Sequence, residues 1–235
     1  MNINIENKNL KLLIQNKLSN FAFWRFSEFG ILLGLIVLLT AFSLISPVFF
    51  TFDNLITIVR QISIIAIIAV GETIVLMNGG IDASIGSVAG LCGIISVLLA
   101  SQGINIFLAF IIAILLGAFI GFINGIIITK VGVTDFIATL AMLSIAHGIN
   151  WTITKGQSIY NNIPESYSIL GRGYIGPIPI PIIVMFIIYI IGGILITRTR
   201  LGTFILASGG NREAARLSGI NVNKVRIIVY IIGGT

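Results

Sequence analysis

Residues 198–226 have the sequence RTRLGTFILASGGNREAARLSGINVNKVR and separate two strongly apolar runs. This stretch, called the basic loop below, holds six of the fourteen basic residues of the chain: Arg198, Arg200, Arg212, Arg216, Lys224 and Arg226. In a chain that is 57% hydrophobic and only 9% charged, such a segment must lie in water at one face of a membrane. The basic loop therefore divides the flanking apolar runs into separate membrane spans.

A short helix is predicted inside the basic loop. Asn211 is a typical N-cap residue, Glu213 falls in the first turn, where the helix dipole favours an anion, and Gly219 is a typical stop. About two helical turns are too few to be stable alone in water, so this helix needs a partner surface. The local chemistry leaves two interpretations open: a basic helix on anionic lipid headgroups, or a docking helix for another protein.

The composition of the whole chain excludes an ordinary soluble domain, since such a domain carries about 25% charged residues. The mean hydropathy is +1.09, and apolar runs near twenty residues long recur, each able to cross a bilayer core of about 30 Å as a helix. The sequence therefore predicts an all-α, polytopic transmembrane helical bundle with about six complete spans and the start of a seventh. The predicted spans are 30–50, 62–77, an apolar run ending near 100, 104–129, a span ending near 154, 182–197, and a span beginning near 227.

The basic residues predict how the chain is oriented. We expect residues 1–28 to form a cytoplasmic N-terminal segment and residues 29–235 to form a transmembrane domain that includes the basic loop. With the N-terminus in the cytoplasm, eleven of the fourteen basic residues face that side, and only Arg60, Lys155 and Arg172 lie outside. The net charge of +6 thus reflects membrane orientation and does not indicate a nucleic-acid partner.

Small residues predict close packing between spans. Gly117, Gly121 and Gly125 recur every four residues and place a glycine stripe on one face of the fourth span. The lone cysteine, Cys92, lies in an apolar run and fits a small buried residue.

No catalytic constellation is visible in the sequence. His147 is the only histidine, so a metal site built on several histidines or cysteines is not available. The chain has no phosphate-binding loop of the form GxxxxGK[ST] either. We therefore predict a protein that is not an enzyme and binds no cofactor of its own.

Polar side chains within the predicted spans are costly to bury and therefore informative. Ser144, His147, Asn150 and Trp151 fall roughly on one face of the fifth span, as does Thr154. One interpretation is the wall of a hydrated path for a polar solute, with Trp151 able to stack on a sugar. The other is hydrogen bonding between helices, with Trp151 in the interfacial aromatic belt.

Glu72 and Asn124 are further polar candidates for the lining of a path. A carboxylate at the depth of Glu72 suggests a proton or cation relay, and the alternative is a hydrogen-bonded carboxyl beside the turn that contains Asp82. For Asn124, hydrogen bonding between helices is the alternative. Capping residues are predicted at two helix starts: Asp82, Ser84 and Ser87 in the first case, Thr134 and Asp135 in the second.

Residues 79–87, GGIDASIGS, closely resemble the signature of membrane permease subunits of bacterial ABC importers for ribose and related monosaccharides. The signature positions are Gly79, Gly80, Asp82, Ser84, Gly86 and Ser87, while Ala83 and Ile85 stand where the usual form has Leu and Val. The resemblance continues through FIATL at 136–140, the Leu201-Gly202 step, and GGNREAARLSGI at 209–220. It covers nearly the whole chain from about Gly30 onward.

The resemblance implies a role for the basic loop and a set of partners. It favours the docking helix, with cytoplasmic ABC ATPase subunits contacted through Gly210, Asn211, Glu213, Ala214, Ala215 and Gly219. It also implies a second, identical permease copy, an extracytoplasmic sugar-binding protein, surrounding lipid, and ATP bound on the partner ATPase. The expected location is the bacterial inner membrane.

Two departures from the family pattern leave alternatives. The family commonly has a neutral residue at the position of Glu72, and an ion- or proton-coupled secondary transporter would use this carboxylate. The family's permeases also continue for several further spans, so we expect a fragment or a truncated gene product here. A non-functional truncated remnant is therefore the other alternative.

Overall fold

The computed structural model describes residues 30–159 and 162–235, and helices dominate both stretches. The predicted cytoplasmic segment 1–28 lies outside the described residues. The chain divides into two units, one ending at Thr57 and the other comprising Ile58–Thr235. The helices of more than ten residues are α1 (Gly30–Ile45), α2 (Phe52–Met77), α3 (Ile85–Ser101), α4 (Ile106–Ile126), α5 (Asp135–Thr154), α7 (Ile180–Arg198), α8 (Arg200–Gly210) and α10 (Val222–Gly234).

Within the described residues, four helices are long and apolar enough to cross a membrane: α2, α4 with its extension to Val131, α5 and α7. Two shorter apolar helices, α1 and α3, have 10–17 residues. Large apolar side chains on the long helices face outward, such as Phe107 of α4, which is 74% exposed, and Phe186 of α7, which is 59% exposed. Outward-facing apolar surface suits lipid, so the predicted all-α membrane fold is confirmed.

Span boundaries agree with the sequence at most ends, with three corrections. The first span was predicted to run to residue 50, but α1 ends at Ile45. The last span was predicted to begin near residue 227, but α10 begins at Val222. The second span was predicted to begin at residue 62, but α2 begins already at Phe52. No glycine or proline interrupts the chain between Phe52 and Val70, so nothing breaks the helix there. The helix ends at Met77 as predicted, just before Asn78-Gly79-Gly80.

The glycine stripe of α4 packs against α10. A β-carbon added at Gly117 would lie 1.9 Å from the Gly234 carbonyl oxygen, and one at Gly121 would lie 2.1 Å from the Tyr230 carbonyl oxygen. At Gly125 the added atom would lie 2.8 Å from the α-carbon of Ile227. Backbone therefore meets backbone along the whole stripe, which confirms the predicted packing role and identifies α10 as the partner. Beyond α4 a π-helix continues over Ile127–Val131.

The segment between α5 and α7 contains structure that the sequence did not predict. It forms helix α6 (Glu165–Arg172) and an antiparallel pair of two-residue strands, β1 (Tyr174–Ile175) and β2 (Ile178–Pro179). The α6 residue Tyr167 stacks on Phe110 with ring centroids 5.3 Å apart and shares a 2.6 Å hydrogen bond with Ser96. These contacts fix α6 to α3 and α4.

The basic loop is helical over most of its length. The predicted short helix is present as α9 (Arg212–Leu217), and the Asn211 side chain accepts a hydrogen bond from the Ala214 amide at 3.0 Å, as expected of an N-cap. Gly219 follows with φ +84°, which confirms it as the stop. Helix α8 was missed, although Leu201, Phe204 and Ile205 have the i, i+3, i+4 spacing of an amphipathic helix.

The contact between α4 and α10 predicts that a single methyl group added at a glycine of the stripe destabilises the protein strongly. Gly121→Ala should lower the free energy of unfolding by about 1–3 kcal/mol, because the new methyl group overlaps the α10 backbone. Unfolding in mixed micelles, followed by circular dichroism, measures the change. Gly148→Ala on α5 is the matched control, since its β-carbon would meet no atom within 4 Å. Equal stabilities of the two variants would contradict this account of the packing.

Candidate functional site

The glycine-rich turn between α2 and α3 and the basic loop meet in space. This α2–α3 turn comprises residues 78–84. The Arg212 guanidinium, at the start of α9, donates a hydrogen bond to the Gly79 carbonyl oxygen at 2.9 Å. A β-carbon at Gly209 would lie 1.9 Å from the Met77 carbonyl oxygen, so the end of α8 rests directly on the backbone that leads into the turn. The two motifs that the sequence singled out separately therefore form one structural unit.

Asn78 is the polar centre of this contact. Its side chain is only 2% exposed and donates to the Ser208 hydroxyl at 2.7 Å and to the Ile205 carbonyl at 3.3 Å. Both acceptors belong to α8. The sequence does not reveal the role of Asn78, because an asparagine before two glycines looks like an ordinary helix stop and its partners lie about 130 residues away.

Inside the turn, Asp82 fixes Ser84, the residue that precedes α3. One oxygen of its carboxylate accepts from the Ser84 amide at 2.8 Å and from the Ser84 hydroxyl at 2.5 Å. Ser84 occupies the N-cap position without a capping bond from its own side chain, and Ser87 lies within the first turn of α3. The capping prediction is therefore wrong for Asp82, Ser84 and Ser87, because the Asp82 carboxylate bonds to the residue before α3 and not to an amide of the helix. Burial raises the pKa of the Asp82 carboxyl, and the hydrogen bonds from Ser84 oppose this shift.

Glu72 lies beside the α2–α3 turn. Its carboxylate accepts a long hydrogen bond of 3.4 Å from the Asp82 amide, and its other oxygen is buried without a partner in the structure. The geometry matches the hydrogen-bonded carboxyl that the sequence allowed as an alternative to a relay. Among residues 30–159 and 162–235, no three His, Cys, Asp or Glu side chains converge as a metal site would require.

Asn124 is buried between helices, with only 1% of its surface exposed. Its side-chain amide donates to the Ser84 hydroxyl at 3.1 Å and thereby links α4 to the start of α3. This contact supports hydrogen bonding between helices as its role.

A buried ion pair supports the turn from the opposite side. Asp135, at the start of α5, pairs with Arg226 of α10 and accepts a 2.9 Å hydrogen bond from the Tyr230 hydroxyl. Thr134 and Asp135 were predicted to cap α5, but Thr134 makes no capping bond and the Asp135 carboxylate is directed to α10. This prediction was wrong, because a buried arginine is a stronger partner for a carboxylate than a backbone amide. Gly80 packs against the same group, since a β-carbon added there would lie 2.8 Å from the Tyr230 hydroxyl oxygen.

The polar face of α5 lines a cavity of about 590 Å³ between α3 and the chain that follows α5. His147, Asn150 and Trp151 all contribute to its wall. Asn150 donates to the Ser87 carbonyl at 3.4 Å, while the Trp151 ring is 63% exposed. Ser144 does not line the cavity and instead donates to the Leu140 carbonyl of its own helix at 3.2 Å.

The cavity lining thus brings together three of the six candidate path residues. Ser144, Glu72 and Asn124 do not belong to it. A second cavity of about 590 Å³ lies among α2, α3, α4, α7 and α10, and its wall is mostly apolar, with Ser96, Tyr167 and Thr235 as its polar side chains. The polar lining at α5 is the better match for a hydrophilic solute.

The residues expected to couple to an ATPase surround α9. Gly210 ends α8, Asn211 caps α9, and Gly219 ends the segment in the left-handed conformation. Ala215 is 4% exposed and holds α9 against the rest of the chain, while Ala214 is exposed. Glu213 forms an exposed ion pair of 2.9 Å with Arg216.

The outer face of α9 also carries an apolar side chain. Leu217 is 80% exposed, and no other residue of α9 is apolar and large. A mixed apolar and charged face on a two-turn helix is a surface suited to a protein partner.

Comparison with known proteins adds an independent result. Residues 54–235 match the family model described as the permease component of the branched-chain amino acid transport system. The chain is 39% identical over 226 residues to the ribose import permease protein RbsC of Haemophilus influenzae, which covers 94% of this chain and 70% of that protein. It is 40% identical over 206 residues to RbsC of Escherichia coli, which covers 86% of this chain and 64% of that protein. It is also 35% identical over 223 residues to the D-allose transport system permease protein AlsC of Escherichia coli, which covers 94% of this chain and 68% of that protein.

The chain spans 64–70% of the length of these three relatives. No solved structure matches it at a significant level.

The buried ion pair predicts unequal effects of removing two carboxylates. Asp135→Ala should lower the free energy of unfolding by about 3–5 kcal/mol, because it leaves the buried Arg226 charge without a partner. Glu213→Ala removes the acid of the exposed pair and should cost at most about 1 kcal/mol. Unfolding titrations in mixed micelles compare the two. If Asp135→Ala cost no more than Glu213→Ala, the Arg226 pair would not support the turn.

Proposed function

Because the chain belongs to the permease family described as the permease component of the branched-chain amino acid transport system, we propose that it is the transmembrane subunit of an ATP-driven importer of ribose-like monosaccharides. The relatives that it resembles over most of its length are named ribose and D-allose permeases. The observation that carries the proposal is the position of α9, exposed on its outer face and joined at its base to the α2–α3 turn. A helix so placed can receive force from one protein and pass it into the membrane spans.

The proposed orientation places the basic loop in the cytoplasm of a bacterium, with the chain in the inner membrane. The N-terminus lies on the same side, as the distribution of basic residues favours. In this orientation α9 faces the compartment that contains ATP. The ATP itself would be bound by two partner ATPase subunits, and this chain would bind no cofactor.

Docking on the ATPase would use the mixed face of α9. Leu217 would insert into an apolar groove, while Glu213 and Arg216 would form charged contacts at the edge. Binding to a partner would also supply the surface that a helix of six residues needs in order to persist.

The sugar would cross along the polar face of α5. His147 and Asn150 offer hydrogen-bonding groups toward hydroxyls, and the exposed ring of Trp151 offers an aromatic face to the apolar side of a sugar. We propose that two identical copies of the chain enclose the path between them. An extracytoplasmic sugar-binding protein would deliver the substrate.

The proposed mechanism couples two distant sites through a two-state element. ATP binding would bring the ATPase subunits together, α9 would move with them, and the spans would alternate between outward-open and inward-open arrangements. No covalent chemistry on the sugar is required. The work done by this chain is to change which side of the membrane the polar cavity faces.

Affinity capture tests the docking of an ATPase. The tagged chain, purified from its own detergent-solubilised membranes, should bring down an ABC ATPase that mass spectrometry identifies. Glu213→Arg should reduce that recovery roughly tenfold, since it reverses the charge at the docking face. Arg172→Glu, a charge reversal on the exposed helix α6 of the opposite membrane face, should leave recovery unchanged. Capture of the native chain without any ATPase would contradict the proposal.

Uptake measurements test the proposed path. Trp151→Ala should raise the KM for ribose about tenfold, equivalent to the loss of ~1.4 kcal/mol of stacking. Trp151→Phe keeps an aromatic face and should stay within about threefold of the native value. Radiolabelled ribose uptake into cells that express the complete importer provides the measurement. Identical KM values for the alanine variant and the native chain would exclude Trp151 from the path.

A further inference from the structure

We propose that the α2–α3 turn is the element that receives the motion of α9, with Asn78, Ser208 and Gly209 as the positioning residues of the joint. This inference rests on the proposed ATP-driven transport and adds the route by which force enters the membrane spans. The joint consists of the end of α8, the first residue of α9 and the backbone of residues 77–79.

The joint between α8 and the turn is sterically tight. The end of α8 approaches the turn so closely that a single added methyl group at Gly209 would lie 1.9 Å from the Met77 carbonyl oxygen and 3.1 Å from the Asn78 α-carbon. Packed backbones at this distance cannot slide past each other without a clash, because interiors are close-packed and resist deformation. A displacement of α8 must therefore displace the turn.

Hydrogen bonds also hold α8 and the turn together. The buried Asn78 side chain holds α8 through two acceptors, and Arg212 holds the turn through the Gly79 carbonyl. The residues of the basic loop that make these bonds flank Gly209: Ile205 and Ser208 precede it, and Arg212 follows it. Breaking the Asn78 bonds would leave a buried amide unsatisfied, which makes separation of the two elements costly.

The turn is also bonded to helices of the membrane domain. Asp82 fixes Ser84, the residue before α3, and the Ala83 amide donates to the Thr139 hydroxyl of α5 at 3.1 Å. Gly80 rests against Tyr230 of α10 and the Asp135 carboxylate of α5. The turn is therefore in contact with α3, α5 and α10 at once.

Two of these three helices, α3 and α5, form the wall of the polar cavity. Gly90, Gly93 and Val97 line it from α3, opposite His147 and Asn150 of α5. A displacement of the turn acts on the ends of both helices and thus on the separation of the cavity walls. Motion of α9 reaches the sugar path through a single short segment of chain.

The test measures coupling in the assembled importer. The native chain and its variants are purified with the ATPase that co-purifies and are reconstituted in liposomes with the sugar-binding protein. Radiolabelled ribose uptake and phosphate release are measured together. Gly209→Ala should lower the sugar transported per ATP hydrolysed by at least about tenfold, while ATPase recovery stays at the native level. Gly193→Ala on α7, where a β-carbon meets nothing within 4 Å, is the matched control and should keep the native ratio.

A milder variant keeps the test decisive if Gly209→Ala does not fold. Ser208→Ala removes one hydroxyl from the joint and should lower the ratio about fivefold with unchanged ATPase recovery. A native ratio in Ser208→Ala, or in a folded Gly209→Ala, would overturn the inference. Failure of the native chain to bind any ATPase would instead overturn the proposed function, so the two outcomes are distinguishable.

Discussion

The packing of backbone against backbone at glycine is the constraint on which this structure depends. In a membrane the apolar side chains gain little by meeting each other, so helices associate where they can approach closely. Gly117, Gly121 and Gly125 bring α4 onto α10, and Gly209 brings α8 onto the end of α2. The first contact holds the span bundle together, and the second joins the bundle to the basic loop. Both contacts tolerate no additional atom, so both are rigid.

Rigid contacts make a polar interior possible. With α10 held against α4, Arg226 and Tyr230 lie within reach of Asp135, and this group closes the α2–α3 turn from the side opposite α8. Polar groups of the turn find partners: the Asn78 side chain on α8, the Ala83 backbone amide on Thr139 of α5, and the Asp82 carboxylate on Ser84, whose hydroxyl accepts from Asn124 of α4. The result is a turn that has few degrees of freedom of its own and moves as its neighbours move. Such an element is well suited to connect a cytoplasmic helix with a cavity in the membrane.

The sequence predicts those features that depend on local chemistry or on regular spacing. The glycine stripe, the cap at Asn211, the stop at Gly219 and the ends of most spans follow from short-range rules, and all are present. The sequence does not predict pairings between distant segments. The Asp135–Arg226 pair, the Asn78–Ser208 bond and the identity of the partner of the glycine stripe depend on which helices become neighbours. Helix α8 was missed for another reason, since its basic surroundings obscured an amphipathic pattern that was visible in Leu201, Phe204 and Ile205.

The separation between Asp135 and Arg226 has a consequence for the order of assembly on the ribosome. These residues lie 91 positions apart, so at 5–20 residues per second Arg226 is synthesised roughly 5 to 18 s after Asp135. During that interval α5 must enter the membrane with a carboxylate that has no native counter-charge. The turn likewise waits for α8 and α10 before its contacts can form. The joint therefore matures only after these helices have been synthesised, and nascent chains that stop before α10 would expose an unmatched charge to the cellular machinery that recognises misassembled membrane proteins.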